Sequence, residues 1–518
     1  MKKILLLFFL MISARVFGQV PEDAIRYSWF PQNGTARNMA IGGAMGSLGG
    51  DLTASFVNPA GLGFYKTNEV VLSPGLSMNN NNANFRQAET LAGNNAFSLG
   101  PTGVILAYPS RFSSEKNNTI SFAINQTANF NNSFRYKALN NYSSFSEQFA
   151  EELAKSNIPI SDYLFTNSIA PYTVAPAWIA YLIDTSSVNG ITRVRGASEN
   201  ILDSGQALQQ EMIKTTGGGI YELAFSFAEN TNKKLLWGLT VGIPIVQYKS
   251  NTTFTESDTS ANRFNGFDNF TYIDNFKTTG VGVNLKLGVI YRPRDYIRLG
   301  LAIHTPSFIT LTDTRTVTIE TQLESDSGTL ELPNRVSSIE FTNGQPGESK
   351  YFQSTAWKAI ISASYVFREV QDITKQRGFI TADIEYVNHR GSRFSSNNEQ
   401  PTSKETEYYK ALNNVVKDEF KSTVNFKIGA ELKFNIIMAR LGFAYYGNPY
   451  KDNAFGGTRK LLSGGLGYRN KGFFVDLTYV YNVAKDVNLP YRLEDRANTF
   501  AAIKNQQGNI IASVGFKF

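Results

Sequence analysis

Cysteine is absent from all 518 residues and histidine occurs only twice, as His304 and His389. No disulfide can staple the chain, and no thiol is available as nucleophile or metal ligand. The two histidines stand far apart without paired His/Asp ligand spacing, so the sequence predicts no metal site. Lys and Arg are scattered, with no basic cluster beside aromatics, which removes nucleic acid as a partner. The glycines at 42–50 are not followed by Gly-Lys-Ser/Thr, so no phosphate loop is present. Past residue 12 no uninterrupted apolar run approaches the ~20 residues a spanning helix needs. No cofactor is implied.

Against these absences stand 13% aromatics, 42 glycines and many Asn, Ser and Thr. That composition belongs to β-rich chains with many turns. The first residues, MKKILLLFFLMISARVFG, join two lysines to a short apolar run, Ile4 to Ile12, and end on small residues. They read as a secretory signal peptide, residues 1–18, cut near Gly18–Gln19. Losing Lys2, Lys3 and Arg15 lowers the formal charge from +7 to +4. An exported chain without disulfides must be held by a large core or by closed hydrogen bonding.

From about Glu69 the hydrophobic period is two. In "LLWGLTVGIPI", Leu235, Trp237, Leu239, Val241 and Ile243 alternate with Gly238, Thr240 and Gly242; "VGVNLKLGVIY", "VNFKIGAELKF" and "FFVDLTYVY" repeat the pattern. Fourteen strands are predicted, at 69–78, 97–107, 118–128, 219–228, 235–249, 276–291, 296–310, 351–367, 378–389, 422–433, 437–447, 460–469, 472–482 and 509–518. Many reach ~10 residues, the length of a tilted membrane strand. Connections alternate between short (229–234, 292–295, 434–436, 470–471, with 108–117 and 368–377 longer) and long (79–96, 129–218, 250–275, 311–350, 390–421, 448–459, 483–508). That rhythm and the even strand count predict an all-β transmembrane antiparallel barrel over 69–518, greasy outside and polar within. The final stretch "NIIASVGFKF" alternates to a terminal Phe518. It resembles the signal by which the barrel-assembly machinery of Gram-negative bacteria recognises outer-membrane proteins.

Residues 19–68 precede the wall and are too apolar and Gly-rich to float as a solvated tail. In "ASFVNPAGLGF", Pro59 fixes its own φ and keeps Asn58 out of the helical region, while Asn58 can bond neighbouring backbone and hold a turn. Such a compact segment suits a plug inside the lumen. The Gly-rich lead-in followed by "SFVNPAGL" resembles the N-terminal hatch of the FadL family, outer-membrane transporters of long-chain fatty acids and other hydrophobic compounds. The resemblance implies a fourteen-strand barrel, gating by a hatch at Asn58, Pro59, Ala60 and Gly61, and an apolar pocket at Phe56, Leu62 and Phe64. The preceding "VPEDAIRYSWFPQN" matches no family pattern.

The largest loop, 129–218, carries two amphipathic stretches. Ser144 and Glu147 have capping-box spacing ahead of a stripe of Phe145, Phe149 and Leu153; Ile201, Leu208 and Met212 read as a second helical stripe. The stripes either pack the loop onto the barrel or offer an apolar groove, and the resemblance implies capture of ligand there. The expected activity is passive uptake of hydrophobic small molecules through an outer membrane bearing lipid and lipopolysaccharide, without catalysis. The alternatives are a general diffusion porin or structural outer-membrane protein. A hydrolase would have to use His304 or His389 with Ser307 or Asp383, for which the sequence gives no geometry.

Overall fold

The computed structural model describes residues 23–110, 116–156, 170–188, 191–260, 262–324, 334–367 and 377–518. The segment read as a signal peptide, residues 111–115 of the connection 108–117 and residues 368–376 of the connection 368–377 lie outside them. Fourteen antiparallel strands close into a barrel. In chain order they are β1 (69–85), β2 (88–109), β3 (117–140), β4 (Leu208–Asn230), β5 (Leu235–Asp258), β6 (Asn269–Arg294) and β7 (297–322). They continue as β8 (347–367), β9 (Gly378–Val387), β10 (Thr423–Phe434), β11 (Ile437–Tyr446), β12 (Arg459–Asn470), β13 (Phe473–Asn488) and β14 (Ala501–Lys517). Closure pairs Glu69 with Lys517 through Leu72 with Val514, and then Gly75 with Ile511 through Asn84 with Ala502.

The period-two pattern has the expected physical outcome. On β5 Leu235, Trp237, Leu239, Val241 and Ile243 face outward, and on β6 Val281, Val283, Leu285, Leu287, Val289 and Tyr291 do so, while Leu236, Gly238, Lys286 and Gly288 are buried. The greasy run ends together on both strands, since Ile245 pairs with Val281 and Leu235 with Tyr291. At a barrel strand's usual tilt that stretch stands about 25 Å tall, the height of an apolar membrane band. Above it the outward side chains turn polar, at Gln247 and Lys249 on β5 and at Asn275 and Lys277 on β6.

The strands run further outward than their apolar pattern, which corrects several predicted loops. Residues 79–96 form a hairpin of Pro74–Phe85 and Ala88–Leu99, turned at Arg86 and Gln87, both at positive φ. Its "NNNNAN" run has no apolar face because it lies beyond the lipid. β4 begins at Leu208, so Leu208 and Met212 are strand residues and the helix there covers only Glu199–Asp203. The connection 390–421 contains an unforeseen helix, Ser403–Glu419, opened by a Thr402–Glu405 capping box. His389 sits on a single 3-10 turn, His389–Gly391, just past β9.

Residues 23–65 fill the lumen. What seats them is missing side chains on the wall. Gly238 and Gly288 are cross-strand partners on β5 and β6, and a Cβ on either would collide with Asn58 or Pro59. Gly429 and Gly442 are partners on β10 and β11, and a Cβ there would collide with Ile41 or Gly42. Plug backbone thus lies directly on wall backbone at two well-separated places. A valine at Gly442 should cost roughly 1–3 kcal/mol of seating through overpacking. In the otherwise thiol-free chain, an Ala44→Cys reporter in the plug should then react with a thiol reagent about ten-fold faster in Gly442→Val than with Gly442 intact. Unchanged labelling in an assembled barrel would refute the seating.

Candidate functional site

The motif at 54–64 is a pair of short turns. Ala54–Val57 makes one helical turn, Asn58 is extended, and Pro59–Phe64 continues as a 3-10 helix with proline at its first position. Asn58 is completely buried and uses both ends of its amide. Its Oδ1 accepts from Ala60 N at 3.1 Å, and its Nδ2 donates to Gly46 O at 2.5 Å and to Val289 O and Leu301 O of the wall at 3.3 and 3.4 Å. Val289 and Leu301 are register partners, so Asn58 sits on the β6–β7 seam. Ala60 packs on Leu236 and Ile290 with Phe64 against them, and Arg298 lies 4.5 Å over the Phe64 ring. Phe56 and Leu62 join Ile105, Ala123, Ala224 and Ala228 of the wall.

Polar wall groups hold the rest of the plug by its backbone. Asp383 Oδ2 accepts from Met45 N and Gly46 N, both at 3.0 Å, and its Oδ1 accepts from Ser362. His304 Nε2–H donates to Val57 O at 2.8 Å. Thr478 Oγ1 donates to Ala36 O at 2.6 Å, and Ala36 N donates to Ser513 Oγ at 2.8 Å. Asn117 donates to Gly63 O and Tyr65 O at 3.1 and 2.8 Å. A buried N–H left without an acceptor costs about 1–3 kcal/mol, so this web fixes the plug's register as well as its position. His304, Ser307 and Asp383 do not assemble into a catalytic relay. His304 and Asp383 are committed to the plug, and Ser307 Oγ accepts from Asn284 Nδ2 at 3.0 Å.

Directly above Phe56 lies a cavity of about 100 Å³. Its lining includes the charged or basic side chains of Glu222, Lys286, His304, Lys358, Glu385 and His389 and the aromatic rings of Tyr27, Trp29, Phe30 and Tyr446. Tyr27, Trp29 and Phe30 belong to the segment that matched no family pattern, and Tyr446 to β11. Of Phe56, Leu62 and Phe64, only Phe56 reaches this chamber. The polar lining was missed in the sequence because its members come from different strands, whose register is not written in any one of them.

Beyond the band, the six loop residues meet. Phe145, Phe149, Leu153, Ile201, Leu208 and Met212 are all buried in one cluster with Phe254, Phe270, Tyr272 and Tyr491. They make a filled core, with Phe145 stacked on Phe254 at 4.5 Å, and not an open groove. The predicted capping box is half formed. Ser144 N donates to Glu147 Oε1 at 2.7 Å, but the Ser144 hydroxyl turns to Glu256 Oε1 at 2.5 Å.

The wall is irregular between β2 and β3. β2 pairs with β1 through 88–99 and with β3 only through Thr102–Pro109. At a register shift between Gln126 and Ala128, β3 turns inward, and among the described residues no ladder joins 88–99 to 125–140. Side-chain amides bridge the seam instead: Leu99 N donates to Gln126 Oε1 at 3.0 Å, and Asn129 Nδ2 donates to Phe97 O at 3.3 Å.

No family model matches the sequence, and no curated protein matches it. Solved structures do. A Pseudomonas aeruginosa FadL homologue is 14% identical, with 94% of this chain and 99% of that chain covered and a TM-score of 0.51. The P. putida toluene transporter TodX is 13% identical, with the same coverages and TM-score. The fold is FadL-like. Low identity with near-complete coverage means that the FadL-like architecture persists where few side chains do.

Two outcomes test this geometry. Asp383→Leu removes the acceptor of two plug amides, so it should loosen the Ala44→Cys reporter by about ten-fold while the barrel still assembles. The second concerns pH. Burial raises the Glu147 carboxyl to about 7, against the opposing pull of the Ser144 N–H and of Arg496. The folded cap therefore binds this proton more tightly than the unfolded loop, and its stability is greatest below the ordinary Glu range and falls as pH rises from about 4.5 through about 7. Amide exchange over 142–156 should be slower at pH 5 than at pH 8, after correction for intrinsic rates. Glu147→Gln should flatten that difference.

Proposed function

We propose that this chain is a passive carrier of hydrophobic molecules, such as long-chain fatty acids, across the outer membrane of a Gram-negative bacterium. One observation carries the reading: a lumen stopped by a plug stands beside a wall seam that lacks its ladder bonds. A stopped lumen is a poor conduit for ions and small polar solutes, and an unladdered seam is where an apolar solute can leave sideways. Exported by its leading segment and delivered to the assembly machinery through the strand ending at Phe518, the barrel would sit among lipid and lipopolysaccharide.

The apolar cluster around Phe145, Phe149, Leu153, Ile201, Leu208 and Met212 is the proposed point of entry. Because it is filled, a solute enters by displacing side chains whose rings already form an apolar environment. The plug at Asn58–Gly61 is the proposed gate, with Phe56 facing the chamber above it. The FadL homologue and the toluene transporter TodX lend this the precedent of their shared fold.

The test is uptake of a labelled hydrophobic solute by cells whose own carriers are deleted. Expression of this chain should restore uptake, and Asn58→Ala with Pro59→Ala should reduce it several-fold while the barrel remains assembled. In planar bilayers the native chain should be nearly silent. Steady ion conductance by the native chain would favour the diffusion-porin alternative and sink this one.

A further inference from the structure

On β5, β6 and β7 the first outward side chains past the apolar band are neutral: Gln247, Thr279 and Thr310. On β12 and β13 they are basic. Lys460 stands one outward step beyond Leu462, and Lys485 one step beyond Val483. Val483 is the register partner of Lys460, and Lys504 on β14 is that of Lys485. All three lysines are exposed. Two ammonium groups therefore face outward directly across strands, with a third on the diagonal, roughly 7–8 Å away. An outward step is two residues, about 5 Å of height at a barrel strand's tilt. Lys460 and Lys485 thus lie at headgroup level, just above the hydrocarbon. Among the described residues no carboxylate pairs with any of the three. Their remaining outward neighbours, Tyr445, Gln506 and Asn82, carry no charge. Asp486 pairs with the buried Ile503 and so lies on the inner face. Glu89 stands two strands from Lys504 and accepts from Asn82 at 3.2 Å. Like charges directly opposite are destabilising, so the cluster calls for an anion from outside the chain.

We propose that this face docks one phosphorylated glycolipid of the outer leaflet, a lipopolysaccharide molecule, with its phosphates among Lys460, Lys485 and Lys504. The inference rests on the outer-membrane placement and not on which solute is carried. Charge and position together choose the occupant. A phosphate accepts strong charge-assisted bonds from ammonium groups, and these ammonium groups adjoin the apolar band instead of standing out on a loop. Beneath them Leu462, Tyr479 and Tyr481 are exposed. That surface suits acyl chains, with tyrosine rings at the depth where amphipathic rings settle. Lysine stems can lie along it while their heads reach upward. A soluble anion would have no use for the greasy surface, and a neutral lipid none for the lysines. Since β14 closes the barrel on β1, a lipid held here grips the closing strand and its neighbour β13 from outside.

Full-length protein in a non-ionic detergent is titrated with diphosphoryl lipid A and with the same lipid A stripped of both phosphates, and bound lipid is counted by native mass spectrometry. The diphosphoryl form should reach half-occupancy at a concentration at least about ten-fold lower. Lys460→Gln, Lys485→Gln and Lys504→Gln together should bring the two lipids within about two-fold of each other, with the dephosphorylated form little changed. Lys460→Arg, Lys485→Arg and Lys504→Arg together should retain the preference, since the charge stays in place. Lys404→Gln, Lys410→Gln and Lys417→Gln remove the same charge from the loop helix Ser403–Glu419 and should leave the preference intact. Equal binding of the two lipids, or binding of neither, overturns the proposal, as does an equal loss in the helix variant. Those outcomes leave the carrier reading standing, because the three wall lysines face away from the lumen. That reading fails instead if cells expressing the native chain show no uptake.

Discussion

Everything in the lumen depends on plug backbone resting on wall backbone. Two cross-strand glycine pairs, Gly238 with Gly288 and Gly429 with Gly442, leave flat places on the inner wall, and Asn58–Pro59 and Ile41–Gly42 occupy them. With side chains at those sites the plug would be held away, and Asn58 could not reach Val289 O and Leu301 O. Close approach also explains the polar web. Plug backbone that loses water against a wall must find partners there: Asp383 and Ser513 accept from its N–H groups, and Thr478 and His304 donate to its carbonyls.

From outside to inside the lumen is layered. A filled apolar core lies beyond the membrane band, a small charged chamber lies below it, and the plug closes the bottom. The layers differ in chemistry. The outer core is apolar, the chamber is lined by charged groups, and the plug is bonded to the wall at Ala36, Met45, Gly46, Val57 and Asn58. The irregular seam between β2 and β3 adjoins the chamber layer, above the tightest part of the plug.

The wall was legible because period two is written locally. All fourteen predicted strands coincide with strands of the barrel, and parity alone put Lys286, Gly288, Lys427 and Gly429 inside. What failed lies where lipid no longer selects for grease. The Asn-rich hairpin at 74–99 has polar residues on both faces, and Leu208 and Met212 fit a helical stripe as well as a strand's inner face. The Thr402–Glu405 cap was available in "TSKE" and announces a helix that went unread. The glycine seats were visible as inward glycines, but nothing distinguishes a seat from a merely small residue until a partner backbone is present. The chamber lining of Lys286, His304 and Lys358 was hidden for another reason: it exists only across three strands, in a register fixed by their turns.

The place where the sheet joins itself has a consequence for how the protein is built. Ser73 and Ser513 meet at 2.7 Å across the first and last strands, and Ser513 also receives the amide of Ala36. The zipper that completes the cylinder is therefore fastened to the stopper from within. One hydroxyl thus ties the last strand both to the first strand and to the stopper, so removing it would take a bond from each.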